Sequence, residues 1–276
     1  MSLRSITLAS IFILASFLIS CKSIKHYGSP LILKNVIMSN KLWEKFESSY
    51  SLENKKDLPK LIKVYGVRNN SLELKRLVLL VAELNDTMER TIDSAILLSR
   101  SSFLVADCST NKKDILRYSQ KAIDSFNGMD WEKNPEAAYY YALGLGAVIR
   151  IEGLSAIVKL PGVIAAMKAA LKKPETDYYG PHRIYGMLYL KAPKWPKGIG
   201  DVDEALKHLK ISMNNSPDFP QNPIFYGEAL IEDDQMDDAK KYLSRAQRSL
   251  QKKNWGTYYN NLWKKEIKNN IKKAVD

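Results

Sequence analysis

Histidine and cysteine are scarce in this chain, three and two among 276 residues. His26, His182 and His208 are not paired at metal-binding spacing, and there is no HExxH or Cys–His cluster. The GxSxG nucleophile elbow is missing as well. Gly144-Leu145-Gly146 starts like a dinucleotide fingerprint, but the third glycine is lacking and no strand precedes it. Lys197-Gly198-Ile199-Gly200-Asp201 falls short of the GxxxxGK[ST] phosphate loop. No stretch alternates with period two for long enough to argue a sheet. A nucleophile, a base and an orienting group are nowhere found together, so the expectation is a non-enzyme without metal or cofactor.

Charge of one sign is in excess: 42 Lys and Arg against 30 Asp and Glu, a net +12. The excess runs from end to end and is densest in "KKEIKNNIKK" near the C-terminus. A basic chain can seek nucleic acid, anionic lipid or an acidic protein. No Arg-rich cluster interleaved with aromatics marks a nucleic-acid groove, so lysine-covered solvated helix faces are expected and no nucleic-acid partner.

The N-terminus holds the most specific short signal. Arg4 is followed by the uncharged run "SITLASIFILASFLIS". Such a basic start and apolar core describe a secretory signal, and the run is short against the ~20 residues of a membrane-spanning helix. Leu18-Ile19-Ser20-Cys21 resembles the bacterial lipobox. The resemblance implies that residues 1–20 are a signal peptide, cut off before Cys21, whose thiol receives a diacylglycerol. A plain signal peptide or anchor with an incidental cysteine is the alternative. Lys22, where inner-membrane retention in enteric bacteria uses Asp, favours the outer membrane. Residues 21–30, "CKSIKHYGSP", read as a lipidated tether. Cys108 is then the sole remaining thiol; at the end of the apolar run in "SSFLVADCS" it is expected to be buried and inert.

Beyond residue 30 the apolar residues recur at three- and four-residue steps, as in Ile37, Leu42, Trp43, Phe46, Tyr50 and in Ile115, Tyr118, Ala122, Phe126. Residues 31–276 are therefore expected to be one all-α domain. Within it a tetratricopeptide-like pattern emerges. His182-x2-Tyr185-Gly186-x2-Tyr189 and Ala205-x3-Leu209 form one unit over 180–217. Pro223-x2-Tyr226-Gly227-x2-Leu230 and Ala239-x3-Leu243 form the next over 221–250. Ala205 to Ala239 and Leu209 to Leu243 are both 34 residues, the period this repeat demands. A weaker unit begins at Tyr140-x2-Leu143-Gly144-x2-Ala147 and continues in a helix carrying Leu160, Val163, Met167 and Leu171. Small residues sit where two antiparallel helices touch, and a pair that cannot bury its apolar face alone stacks on the next. The expected architecture is a solenoid of antiparallel helix pairs.

One turn is longer than the repeat requires. Tyr189 and Ala205 are 16 residues apart, seven more than the pattern allows, and "KAPKWPKGIG" fills the gap. Its prolines stop one helix, its glycines permit the turn, and Asp201 is placed to cap the next helix. Trp195 at its tip either folds back on its own helices or meets a partner. In Tyr139-Tyr140-Tyr141, neighbours lie about 100° apart on a helix, so at least one should line a groove or a subunit contact. Tyr140, Tyr141, His182, Tyr185 and Trp195 are the candidate binding residues. Asp233-Asp234 and Asp237-Asp238 read as capping and helix-dipole residues.

The segment from about 137 to 230 resembles the TatT-type lipoproteins, tetratricopeptide-like accessory components of some periplasmic TRAP transporters. "AAYYYALGLG", "LPGVIAAMKAALKK", "YYGPHRIYGMLYLKAPKWPKGIGDVDEAL" and "NPIFYGEAL" carry the resemblance, which covers about a third of the chain. It implies a lipid-tethered repeat protein facing the periplasm that assembles with copies of itself. It also implies docking of an extracytoplasmic solute-binding protein and a cavity for a small apolar ligand. A cell-envelope scaffold that binds proteins through the same groove, without a transport role, is the rival reading.

Overall fold

A computed structural model describes residues 71–275 except 195 and 197, together with 59, 62, 63, 67 and 68; the side chains of 73, 77, 84, 88 and 154 are outside the described set. Cys21, the tether, the stripe from Ile37 to Tyr50, and Trp195 lie outside the described residues.

From residue 71 onward the described residues form ten α-helices: α1 (Leu72–Met88), α2 (Ile92–Cys108), α3 (Lys112–Asp124), α4 (Pro135–Glu152), α5 (Leu160–Ala170), α6 (Thr176–Lys191), α7 (Val202–Asn215), α8 (Gln221–Glu232), α9 (Met236–Lys252) and α10 (Thr257–Lys273). Among the described residues there is no β-strand, and one isolated bridge joins Lys194 to Gly200. None of the described helices is long and apolar enough to cross a membrane.

Short polar residues start five of these helices for a physical reason: their side-chain oxygens satisfy N–H groups that the first turn leaves unbonded. Ser71 accepts from Leu74 N, and Asn111 from Lys113 N. Asn134 accepts from Glu136 N and Ala137 N, with Pro135 opening α4. Thr91 and Ser94 cap α2 reciprocally. Asp201 caps α7 by accepting from Glu204 N, as its position suggests. The two acidic pairs differ: Asp237 and Asp238 lie in the first turn of α9, where they face the helix dipole, whereas Asp233 and Asp234 lie at the end of α8 and cap no helix start, α9 beginning after Gln235 with no side-chain cap.

Consecutive helices pack on one another except across the α5–α6 joint, where contact is slighter. In addition α2 touches α4, α4 touches α6, α6 touches α8 and α8 touches α10. The close approaches fall at glycine. A Cβ at Gly186 would stand 2.7 Å from Leu209 Cγ and 3.1 Å from Ala205 O, across the α6–α7 contact. At Gly227 it would stand 3.0 Å from Leu243 Cγ and 3.5 Å from Ala239 O, across α8–α9. The two contacts use equivalent residues. The weaker unit departs from this: Gly144 abuts α3, at Ile123 and Ser119, rather than α5. The 3₁₀ segment Gly153–Lys159 re-aims the chain between α4 and α5, and the close glycine there is Gly162, against Leu145.

The last described helix reaches back to α2. Tyr258 Oη donates to Asp107 O at 2.5 Å and Tyr259 Oη to Asp107 Oδ2 at 2.7 Å, so α10 is tied to the end of α2. Cys108, buried as expected, shares a core with Phe219, Trp255, Tyr259 and Trp263.

Gly186→Ala and Gly146→Ala should change stability in opposite directions. At Gly146 an added Cβ meets nothing within 4 Å, so the variant gains about 0.5–1 kcal/mol of helix propensity. At Gly186 the same gain is outweighed by overpacking, which costs about 1–3 kcal/mol. Urea unfolding of the two variants checks the signs.

Candidate functional site

A hollow of about 690 Å³ opens between α2, α4, the start of α6 and the α9–α10 connection. Arg100 comes from α2, Glu136 and Tyr140 from α4, Asp177 and Tyr178 from α6, and Lys253 and Trp255 from the connection. Arg68, just ahead of α1, completes one wall.

The start of α6 shapes this wall. Asp177, Tyr178 and Tyr179 have φ of 51°, 58° and 60°, a left-handed turn before the right-handed helix. For residues bearing a Cβ this conformation is strained, and it persists only where surroundings over-determine it. Here they do. The Arg183 guanidinium, only 1% exposed, donates from Nη1 to Asp177 O, Tyr178 O and Asn222 Oδ1. Asn222, fully buried, donates from Nδ2 to Tyr178 O, Ser212 O and Ser216 O. A side chain on Gly180 would collide with the Tyr139 phenol, which fixes how closely α6 follows α4.

Asp177 is the electrostatic centre. Its carboxylate accepts from both Arg68 Nη atoms, from Arg183 Nη2 at 2.8 Å and from Tyr139 Oη at 2.6 Å. Burial alone would raise its pKa, but Arg68 and Arg183 outweigh burial and hold it well below the ordinary carboxylate range. Burial, reinforced by Asp177, pushes the Tyr139 phenol well above its usual value, so it stays a donor.

The candidate residues separate into distinct environments. Tyr140 is buried, stands edge-on to Tyr139, and lines the hollow. Tyr141 faces elsewhere and stacks on Trp131 at 4.1 Å. Tyr185 is 5% exposed and packed against Tyr189 and His208, so its ring is occupied by its own fold. Far apart in sequence, His182 and His208 come together, with Nδ1 to Nδ1 at 2.8 Å. This corrects the expectation of three isolated histidines: helix pairing closes a gap that spacing could not show. One Nδ1 must donate and the other accept, so the rings hold different tautomers. Burial and then His208 lower the His182 pKa to about 4. No group of three or more His, Cys, Asp or Glu side chains is placed to hold a metal among the described residues.

Arg68, Arg100, Asp177, Arg183 and Asn222 escaped the sequence reading. None belongs to a motif, and the only local hint was "DYYGPHR", where Gly-Pro interrupts a helical pattern. Compared with known proteins, the chain matches no family model and no curated protein.

Asp177→Asn should cost about 3–5 kcal/mol, because it leaves buried guanidinium charge uncompensated. It should also flatten the acid limb of stability. The native carboxyl titrates below its unfolded value, so its contribution is present above about pH 4 and fades as pH falls further. Urea midpoints of both proteins across that range test this. Separately, the His182 ring should titrate near pH 4 when followed by NMR.

Proposed function

We propose that the chain is a non-enzymatic, lipid-anchored adaptor built of tetratricopeptide-like helix pairs, and that it serves as an accessory of a TRAP-type solute transport system. The observation that carries this reading is a stack of helix pairs closing on a walled hollow. A repeat scaffold of this kind holds a binding cavity in place through packing alone. The matched contacts Gly186–Leu209 and Gly227–Leu243 favour the repeat. So does the contact of α2 with α4, α4 with α6 and α6 with α8, which brings the first helices of successive pairs side by side.

The transport context rests on the resemblance to TatT-type lipoproteins. On that reading Cys21 carries the lipid, the outer membrane holds the anchor, and the helical domain faces the periplasm. Its partners are a solute-binding protein and further copies of itself, and Trp195 on the long turn contributes to docking.

A second reading, a cell-envelope scaffold without a transport role, is favoured by one observation. Ile157 and Val158, 44% and 79% exposed, stand together on the 3₁₀ segment between α4 and α5, away from the hollow. An exposed apolar pair suits a protein contact.

Two measurements test these readings. Growth with an alkyne-labelled fatty acid should label the full-length protein, and Cys21→Ala should abolish the label and leave the leader uncleaved. Crosslinking the full-length protein in its host envelope should yield a solute-binding protein as the dominant partner. Envelope-assembly proteins in that place would replace the transport reading with the scaffold.

A further inference from the structure

The hollow is lined by cationic side chains that lack a carboxylate partner among the described residues. Arg100 is half-buried and makes no ion pair or hydrogen bond with any described residue. Trp255 is 4% exposed, and its indole Nε1 is buried without an acceptor among the described residues. Lys253 lies with Nζ 4.1 Å from the centre of the Trp255 ring and has no carboxylate partner among the described residues. Cationic groups without a protein carboxylate at a concave surface are placed to accept an anion.

The acceptors that share the hollow are mostly spent. Asp177 is saturated by Arg68, Arg183 and Tyr139, and Glu136 is paired with Lys173 at 2.9 Å. Glu175 alone offsets Arg100 and Lys253, and it is exposed at the rim. Arg183 behind the wall adds a further positive charge. The field in the hollow is therefore positive, and the free groups are donors.

The remaining walls are flat and apolar. Tyr178 stacks on Phe219 at 4.5 Å and stands edge-on to Trp255, while 42% of it stays exposed. A second hollow, of about 430 Å³, continues past Tyr178 and Trp255 along Phe219 and Lys252. The volume is that of an ordinary small-molecule site.

We infer that this cavity binds a small organic anion, its carboxylate or sulfonate accepting from Arg100 and Lys253 and its flat apolar body resting against the exposed part of Tyr178. The purely apolar ligand that the family resemblance implies would leave the donors unsatisfied. The inference concerns the cavity alone and holds with or without a transport partner.

The test is calorimetric titration of the full-length protein in a non-ionic detergent, with 2-naphthoate as probe. Its neutral counterpart 2-naphthamide and inorganic sulfate serve as controls. Naphthoate should saturate one site per chain and bind about tenfold or more tighter than naphthamide, with sulfate weaker than either. Arg100→Met should erase the preference for the anion over naphthamide. Lys253→Met, at an exposed position, should reduce the preference without affecting folding. Equal affinity for naphthoate and naphthamide would overturn the inference in favour of an apolar ligand. An undiminished anion preference in both variants, or no saturable naphthoate binding at about millimolar concentration, would overturn it outright.

Discussion

A guanidinium buried to 1% exposure has to be neutralised where it stands, and in this protein Arg183 sets that requirement. Its partner Asp177 is delivered by three consecutive left-handed residues that no side chain adopts cheaply. The same guanidinium compensates for the turn by binding the carbonyls of Asp177 and Tyr178. Tyr139 from α4, Arg68 from ahead of α1 and Asn222 from α8 then converge on this pair. A single charge thus ties segments that apolar packing alone would leave free to slide.

That knot also shapes the cavity. Because the left-handed turn precedes α6, Tyr178 is thrown outward onto Phe219 rather than into the α4–α6 contact. Because Arg68 and Arg183 use up Asp177, Arg100 is left without a carboxylate partner among the described residues. Structural cost and binding capacity are therefore adjacent parts of one electrostatic arrangement.

Much of the local architecture was legible along the chain. The stripe Ile115, Tyr118, Ala122 became the buried face of α3. Asp201 caps as its position after a Pro- and Gly-rich turn requires. The spacing from Ala205 to Ala239 found its counterpart in two matched glycine contacts. What escaped is long-range. Arg68 meets Asp177 across 109 positions and Tyr139 meets Arg183 across 44. Hydrophobic period reveals which face of a helix is buried but not which helix covers it. Tyr185 illustrates the limit: read as a candidate binding residue, it lies in the α6–α7 contact and its ring is consumed there. Tyr140 shares the tyrosine run with Tyr139 and Tyr141, and only its rotation around α4 sets it at the hollow.

The bond between Tyr258 and Asp107 spans 151 positions. Contacts of such separation form late, since the entropy of closing the intervening loop must first be overcome. Trp255 and Lys253, which belong to the last arrivals, make up one side of the hollow. A growing polypeptide therefore possesses the charged knot's early members before it possesses a container. Occupancy is consequently a property of the finished molecule, and a chain cut short before Trp255 would carry the arginines without the wall that faces them.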